Sequence, residues 1–140
     1  MQYEKSCGAV VLRREDEQTY VLLIRHRKGG HRSFPKGHVE RGESERRTAE
    51  REVREETGAV IQIRERFRVP IRYSPMPGVE KEVVYFLAFT DSPEIRPQPG
   101  EIAEVEWVNV NSAEHALSHE NDRMVFRSAR RYLRRVGKIV

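Results

Sequence analysis

The chain has 140 residues, a net charge of +4 and an isoelectric point near 9.5; 34% of its residues are charged and 37% are hydrophobic. These values predict one folded domain spanning residues 1–140 and exclude a disordered chain. No apolar stretch is long enough for a membrane span, and the N-terminus lacks the apolar region of a secretory signal. The single cysteine, Cys7, excludes an internal disulfide. We therefore expect a cytoplasmic protein with no membrane partner; the sequence does not indicate its oligomeric state.

The positive charge is concentrated near the C-terminus, in Arg123, Arg127, Arg130, Arg131, Arg134 and Arg135. Such an excess suits either a nucleic-acid surface or a small polyanionic substrate. No recognition motif or cluster of exposed aromatic residues accompanies these arginines, so a solvated helix face is the favoured interpretation. Nucleic acid is therefore not an expected partner, except as an RNA 5′ end.

The chain begins with two β-rich apolar runs, at residues 6–13 and 20–26. The polar segment 14–19 between them predicts a hairpin. A loop is expected at 27–35, where glycine and proline interrupt regular structure.

A helix is predicted next, over residues 45–57. Ser44 offers an N-cap, and Gly58 suits the position after the last turn. Ala49 and Val53, four residues apart, give the helix a narrow buried stripe.

Three further strands are indicated by β-prone residues in 59–71, by 82–89 and by 105–108. A turn containing Pro75, Pro77 and Gly78 separates the first two.

Two helices are expected at the end of the chain. Asn111 or Ser112 opens a short one, and Asn121 or Asp122 caps a final helix that runs to Val136. The order ββ–α–βββ–αα predicts an α/β fold, with helices packed on a mixed sheet.

Three carboxylates crowd the end of the predicted first helix. Glu52, Glu55 and Glu56 fall on one helix face, within an arc of about 100°. Glu52 and Glu56 repel each other at i, i+4, and both lie near the negative end of the helix dipole, so we expect the Glu56 side chain to be partly exposed. A divalent cation such as Mg²⁺, which prefers oxygen ligands, would convert this repulsion into ligation. The alternative is a solvated acidic face.

The stretch 37–59 carries a more specific pattern, G-x5-E-x7-R-E-U-x-E-E-x-G-U, in which U is apolar. Its nine defined positions are Gly37, Glu43, Arg51, Glu52, Val53, Glu55, Glu56, Gly58 and Ala59. This pattern resembles the signature of the Nudix hydrolases, and we call residues 37–59 the Nudix box. The resemblance implies an α/β/α sandwich with a mixed sheet. It also implies an enzyme that hydrolyses nucleoside diphosphate derivatives with Mg²⁺, for which Mn²⁺ can substitute.

The resemblance also implies residue roles. The metal ligands would be the Gly37 carbonyl and the carboxylates of Glu52, Glu55, Glu56 and Glu101. Arg51 and Glu43 would pair to hold the loop on the helix, which is a structural role.

The general base is left open by the resemblance, because it can be a box glutamate or one from a later loop. The catalytic candidates are Glu52, Glu56 and Glu101, and Glu104 is a nearby rival. For either loop glutamate, a solvated side chain is the alternative.

The sequence FPKGHVE at 34–40 resembles the asymmetric diadenosine tetraphosphate hydrolases within this family. The likeness continues at Cys7-Gly8, Tyr73, Lys81 to Ala88, and Glu101 to Trp107. It implies that His31, Lys36, Lys81 and Tyr85 approach a polyphosphate and that Tyr73 stacks on adenine. Lysines and a histidine suit an anionic chain, whereas an aromatic face suits a base. An ordinary strand tyrosine and solvated His31 and Lys81 are the alternatives.

Two positions depart from that subfamily. Arg32 stands where many relatives have tryptophan, and Pro75 stands where ADP-ribose hydrolases tend to have proline. We expect asymmetric cleavage of diadenosine tetraphosphate to ATP and AMP. The alternative substrates are ADP-ribose, an oxidised nucleoside triphosphate, an RNA 5′ end or a diphosphoinositol polyphosphate. A nucleotide-sensing Nudix domain is the non-enzymatic alternative, and the complete set of box glutamates argues against it.

Overall fold

The computed structural model describes residues 1–139, which form seven strands and three helices. The strands are β1 (Gln2–Glu15), β2 (Gln18–His26), β3 (Arg32–Ser33), β4 (Lys36–His38), β5 (Arg68–Met76), β6 (Val79–Phe89) and β7 (Ile102–Asn109). The helices are α1 (Glu45–Thr57), α2 (Val110–Ala116) and α3 (Glu120–Arg135). None of these helices is both long and apolar enough to cross a membrane.

The strands form one mixed sheet in the order β3-β2-β1-β6-β5, with β4 paired to β1 and β7 paired to β2. The β1–β6 pair is parallel and the other pairs are antiparallel. The hairpin predicted between β1 and β2 is confirmed. Its two turn residues, Asp16 and Glu17, have φ values of 50° and 67°, a geometry that matches the twist of the flanking strands.

The central strands are buried on both faces, so alternate residues supply two separate hydrophobic layers. The layer against α2 and α3 contains Val10, Leu12, Val21, Leu23, Val83, Tyr85 and Leu87. The layer against α1 contains Cys7, Ala9, Val11, Leu22, Val84, Phe86 and Ala88. Helices therefore cover both faces of the mixed sheet, and the prediction of an α/β/α sandwich is confirmed.

The first helix has the predicted bounds and caps. The Ser44 hydroxyl accepts a 3.2 Å hydrogen bond from the Arg47 backbone N–H, and Gly58 follows the helix with a φ of 77°. Ala49 and Val53 are fully buried against the sheet. Helix α1 is thus anchored by a narrow stripe that leaves its other faces free for charged side chains.

The connections before and after α1 differ from the prediction. The expected loop at 27–35 contains the short strand β3, and β4 follows it. Residues 59–67 contribute a single bridge, Gln62 to Phe89, rather than a strand. Strand β5 pairs with β6 only as far as Phe86, and the Gln62 bridge lies on the edge of β6 beyond that point. The alternate apolar residues of this segment pack on the sheet. Strand β5 continues through Pro75 to Met76, so the turn is shorter than predicted.

Both later helices begin before the predicted residues. Asn109, not Asn111 or Ser112, caps α2 by accepting a 2.9 Å bond from the Asn111 N–H. Helix α3 begins at Glu120, after His119, and Asp122 is a buried residue of its first turn rather than the cap. The start of each helix is shifted by two to three residues, and in α3 the shift places Asp122 within the first turn.

Candidate active site at the end of helix α1

The C-terminal end of α1 is covered by the segment that precedes β7. The backbone N–H groups of Arg96 and Gln98 donate to the carbonyls of Thr57 and Glu56, at 2.8 and 3.2 Å. These bonds satisfy carbonyls that a helix end leaves unpaired. A Cβ atom on Gly58 would collide with the Arg96 side chain, so glycine permits this close approach. The segment then leads directly to Glu101.

Arg51 is the centre of an ionic network beside this helix end. Its Nε and Nη2 atoms donate to the two Glu43 oxygens at 2.6 and 2.9 Å, and Nη2 also donates to the His38 carbonyl at 2.9 Å. The Arg51 bonds hold the pKa of Glu43 at about 2, well below its ordinary value. This two-point pairing ties the loop that follows β4 to α1, as the resemblance implied for Arg51 and Glu43.

Arg51 also binds two of the predicted metal ligands. Its Nη1 atom donates to Glu52 at 2.7 Å and to both Glu55 oxygens at 3.3 Å. Glu52 lies over Gly37 so closely that a Cβ atom there would overlap its carboxylate. Glycine at position 37 therefore brings its own backbone and the Glu52 carboxylate together.

Glu56 is buried, with 7% of its surface exposed, although the sequence led us to expect a partly exposed side chain. Its Oε1 atom accepts a 2.9 Å hydrogen bond from the Lys36 backbone N–H. Burial above all, together with the charges of Glu52 and Glu101, raises the pKa of Glu56 to about 8, although the Lys36 hydrogen bond and charge act in the opposite direction. Glu56 is thus a buried carboxylate that lies among other carboxylates. A positive charge nearby would stabilise its ionised form.

The two loop glutamates have different surroundings. Glu101 is exposed, and its charge helps to raise the pKa of Glu56. Glu104 instead accepts a 2.7 Å hydrogen bond from Arg25. The backbone carbonyl of Glu101 accepts from the Arg27 N–H at 3.0 Å. Of the two candidates, Glu101 is the one that the fold brings to the box.

The chemistry of these donors fits a hard divalent cation, since they are carboxylate oxygens beside a backbone carbonyl. Among residues 1–139, however, no three histidine, cysteine, aspartate or glutamate side chains are already arranged as a metal cluster. In this structure Arg51 donates to Glu52 and Glu55, and the Lys36 N–H donates to Glu56. The donors are near one another but are engaged by protein cations and N–H groups.

A cavity of about 500 Å³ lies on the other side of Lys36, between the sheet and the start of α3. Its lining residues are His31, Ser33, Lys36, Ile71, Tyr73, Val83, Tyr85, His119, Glu120, Asn121 and Asp122. Four of the five predicted substrate residues are thus brought together. Lys81 is absent from this lining, but it lies near enough to Lys36 for the two charges to interact: burial, and then Lys36, lowers its pKa.

Lys36 connects the box to the cavity. Its backbone binds Glu56, whereas its ammonium group makes no ion pair or hydrogen bond within the described part of the chain. The charge of Lys36 nevertheless acts on Glu56 on one side and on Asp122 on the other. Because this ammonium group is unpaired and lies between the box and the cavity, it is suited to bind an anion that extends across both.

The two predicted tyrosines of the cavity differ in their exposure. Tyr85 is 1% exposed and forms part of the cavity wall, and its hydroxyl donates to Asp122 Oδ1 at 3.1 Å. Tyr73 retains 38% exposure on β5. Of these two cavity tyrosines, Tyr73 is therefore the one with an accessible ring. The Tyr85 hydroxyl orients Asp122.

Several residues in or beside the cavity were not predicted from the sequence. His26, beside the cavity, stacks on His31 at 4.0 Å between ring centroids, and His119 in the lining lies 5.3 Å from His31. Burial, and then the charge of His31, lowers the pKa of His26 to about 4. Burial, and then the charge of His119, also lowers the pKa of His31. Asp122 was considered only as a helix cap. The unpatterned spacing of these residues gave no signal, because β2, the β3 region and α3 meet only in the folded chain.

Comparisons with known proteins agree with this architecture. A model of the NUDIX domain matches residues 3–128. The chain is 36% identical over 104 residues to the NAD-capped RNA hydrolase NudC of Salmonella paratyphi C, a match that covers 72% of this chain and 37% of that protein. It is 37% identical over 94 residues to the asymmetrical bis(5′-nucleosyl)-tetraphosphatase of Mus musculus, covering 60% of this chain and 63% of that one.

A solved structure of the C. elegans Ap4A hydrolase in a binary complex superposes with a TM-score of 0.83. It is 26% identical and the match covers 93% of this chain and 97% of that one. The chain spans less than two thirds of the curated relatives, so the extent of the domain, predicted as 1–140, stays a prediction. These relatives support the prediction of a hydrolase. Because the family model covers most of the sequence, the chain belongs to the NUDIX domain family.

Proposed function

We propose that this protein is a Nudix pyrophosphohydrolase that cleaves a phosphoanhydride bond in a dinucleoside polyphosphate, with asymmetric cleavage of diadenosine tetraphosphate to ATP and AMP as its reaction. The observation that carries the proposal is the position of Lys36. It joins a cluster of carboxylates to a cavity large enough for a nucleotide. A substrate with a base at one end and a chain of phosphates fits both parts.

Mg²⁺ or Mn²⁺ would be held by four groups of the box, the Gly37 carbonyl and the carboxylates of Glu52, Glu55 and Glu56. Glu101, from the loop before β7, would join them. When bound, such an ion neutralises phosphoryl oxygens and lowers the pKa of a water molecule. Without the ion, Arg51 offsets the mutual repulsion of Glu52 and Glu55 by binding both carboxylates. Its pairing with Glu43 keeps the loop of Gly37 in place.

The proton of the attacking water would pass to a carboxylate at this helix end, and Glu52, Glu56 and Glu101 are the catalytic candidates. Glu101 is exposed, close to Glu56 and free of any ion pair within residues 1–139. A general base needs an accessible, unpaired oxygen within reach of the water. Glu101 meets that condition, whereas Glu52 is bound to Arg51.

The substrate residues divide along the cavity. Lys36, Lys81 and His31 would bind the polyphosphate, since cationic and N–H donors form strong hydrogen bonds to phosphoryl oxygens. Tyr73 would stack on the base with its accessible ring. Tyr85 would contribute from the cavity wall by holding Asp122.

One substrate panel tests the proposal. Diadenosine tetraphosphate, ADP-ribose, nucleoside triphosphates including oxidised ones, and diphosphoinositol polyphosphate are compared at equal concentration with Mg²⁺. We expect ATP and AMP from diadenosine tetraphosphate, with a kcat/KM at least tenfold above those of the others, and no turnover with EDTA. Higher kcat/KM for another class would transfer the assignment to it. Binding without turnover of any substrate would indicate a nucleotide sensor.

A second candidate is hydrolysis of a capped RNA 5′ end, favoured by the relatives named as NAD-capped RNA hydrolases. A groove of about 600 Å³ lined by Arg66, Arg131 and Arg135 beside Tyr132 offers positive charge for an RNA chain. Release of a 5′-monophosphate RNA from NAD-capped RNA, faster than cleavage of diadenosine tetraphosphate, would favour it. Cytoplasmic location stays a prediction under either candidate.

A further inference from the structure

Four arginines of helix α3 fall into two groups. Arg123 and Arg127 form ion pairs with glutamates of α2 and of the first turn of α3, at 2.8 to 3.9 Å. Within residues 1–139, Arg131 and Arg135 pair with no carboxylate: Arg131 donates to a serine hydroxyl at 3.1 Å, and Arg135 lies over a tyrosine ring. The charges of the first group are thus used inside the protein, whereas those of the second are available to an outside partner.

Arg131 and Arg135 line the groove of about 600 Å³ between the end of α3 and the start of β5. Together with Ser128 they recur at spacings of three and four residues, so they lie on one face of the helix. The third arginine of this group, Arg66, comes from the segment before β5, and its exposed guanidinium has no partner in the described part of the chain. The rest of the lining is Phe67, Arg68, Tyr132 and Val136.

The groove has no counter-charge of its own. Among the residues that the structure describes, no aspartate or glutamate lines it. Two carboxylates beside it are already paired: Glu45 binds Arg68 at 2.8 Å, and Glu65 binds Lys138 at 3.0 Å. Guanidinium groups that share a groove without an anion repel one another. A bound anion would remove that repulsion.

The chemistry of the lining favours phosphate groups over bases. The planar guanidinium of arginine binds phosphate oxygens through two parallel hydrogen bonds. The Tyr132 ring is packed against Phe67, with 5.8 Å between ring centroids, and Arg135 covers it at 5.5 Å, so this ring is not free to stack on a base. A groove with several phosphate sites suits a flexible chain of phosphates, which a flat membrane surface does not offer.

We propose that this groove binds the phosphate backbone of a single-stranded nucleic acid, at a site separate from the catalytic cavity. The two sites lie at opposite ends of α3, because Asn121 lines the cavity and Arg131 lines the groove, about 15 Å apart along the helix axis. Contacts to phosphate carry no sequence information, so binding is independent of sequence.

This inference goes beyond the proposed function, because it concerns binding and not cleavage. A strand in the groove leaves the cavity open to a dinucleoside polyphosphate. It also differs from the RNA-cleavage candidate, in which a capped 5′ end occupies the cavity.

The test measures binding of a labelled RNA by fluorescence anisotropy in EDTA, so that no cleavage occurs. The RNA has about 12 nucleotides, within the usual range for single-strand sites, and a 5′-hydroxyl end that resembles no cap. The groove variant combines Arg131→Gln with Arg135→Gln. The matched control combines Arg123→Gln with Arg127→Gln, which removes the same charge from the same helix. We expect the groove variant to bind at least about tenfold more weakly than the unmodified protein and the control to stay within about threefold.

The salt dependence counts the phosphate contacts. Each contact to a single strand contributes about 0.7 to the slope of log Kd against log salt, so three arginines predict a slope of about 2. The groove variant should lower this slope by about 1.4, and Arg66→Gln, a change in a different segment, by about 0.7. A DNA strand of the same sequence should bind with similar affinity, since the contacts are to phosphate.

Equal weakening in the groove variant and the control, with both folded as judged by thermal melts, would mean attraction by overall charge and would overturn the site. A glutamate peptide of the same length that displaces the RNA as well as unlabelled RNA does would overturn its assignment to nucleic acid. Hydrolysis of diadenosine tetraphosphate should be the same in all these proteins. If that substrate is not cleaved at all, the proposed function fails while the binding result stands.

Discussion

The box and the cavity are built in opposite ways. The box concentrates its function in 23 consecutive residues, where Arg51 reaches Glu43, Glu52 and Glu55 within eight positions of itself. The cavity collects residues between His31 and Asp122 from four separate parts of the chain. In the proposed function, residues close together in the sequence supply the groups for the chemistry. Residues brought together by tertiary packing supply the groups that select the substrate. The following predictions test that division of labour.

Removing a box carboxylate should have the largest effect. Glu56→Gln is expected to lower kcat for any cleaved substrate by at least about a hundredfold, because charge stabilisation by a bound ion supplies most of the rate. Burial disfavours the ionised form of Glu56, so the neutral amide should keep or raise the melting temperature in metal-free buffer. Glu50→Gln, on the exposed face of the same helix, is the matched control. Full activity in Glu56→Gln would place the chemistry outside the box.

Lys36 joins the two regions, so its loss should affect both binding and turnover. Lys36→Gln keeps the backbone N–H that binds Glu56 and removes only the ammonium group. We expect kcat/KM to fall about 10- to 100-fold, the range for a lost charge-assisted bond to phosphate. Steady-state kinetics beside Lys28→Gln, a loop lysine outside the cavity, measures the difference. A fall of equal size in both variants would mean a general charge effect.

Arg51→Lys should loosen the box without removing its charge. Lysine cannot reproduce the two parallel bonds to Glu43 together with those to His38 and Glu52. The expected loss is about 1–3 kcal/mol in the free energy of unfolding, with roughly tenfold lower kcat. Urea unfolding and kinetics of the same preparation provide both values. Unchanged stability would show that the network is dispensable for holding the loop.

The smallest effect is expected at Glu45, which belongs to the box stretch but contacts neither its carboxylate cluster nor the cavity. It binds Lys5 at 2.6 Å and Arg68 at 2.8 Å, and the Arg68 bond above all holds its pKa at about 2. A depressed folded pKa means that the stabilisation is complete above pH 4.5, the ordinary value, and is lost as the pH falls toward 2. After allowance for solvent screening we expect Glu45→Gln to cost about 1 kcal/mol at pH 7.

The pH dependence separates this ion pair from a packing effect. The stability difference between Glu45→Gln and the unmodified protein should shrink between pH 4.5 and 2, measured by thermal melts across that range. Glu80→Gln, at an exposed glutamate without an ion pair among residues 1–139, is the control, and turnover at pH 7 should be unchanged in both. A difference that persists undiminished at pH 2 would contradict the electrostatic account.

The sequence predicted the fold class and α1 with its caps, because these depend on periodicity and short-range spacing, whereas the pairing of Arg51 with Glu43 was implied by the family resemblance. It did not predict that Glu56 is buried, since the segment that covers α1 comes from residues 92–100, far along the chain. It also misplaced the start of α3, and with it Asp122, because neighbouring polar residues offered equally good caps. What escaped prediction depends on contacts between distant segments.

The division of labour is tested most directly by one set of kinetic measurements: kcat and KM for diadenosine tetraphosphate in the unmodified protein, Glu56→Gln and Tyr73→Ala. We predict that Glu56→Gln lowers kcat at least about a hundredfold and leaves KM nearly unchanged. Tyr73→Ala should raise KM roughly tenfold, the loss expected for one aromatic stacking contact, and leave kcat nearly unchanged. Full kcat in Glu56→Gln, or a loss in Tyr73→Ala that appears in kcat alone, would contradict the account.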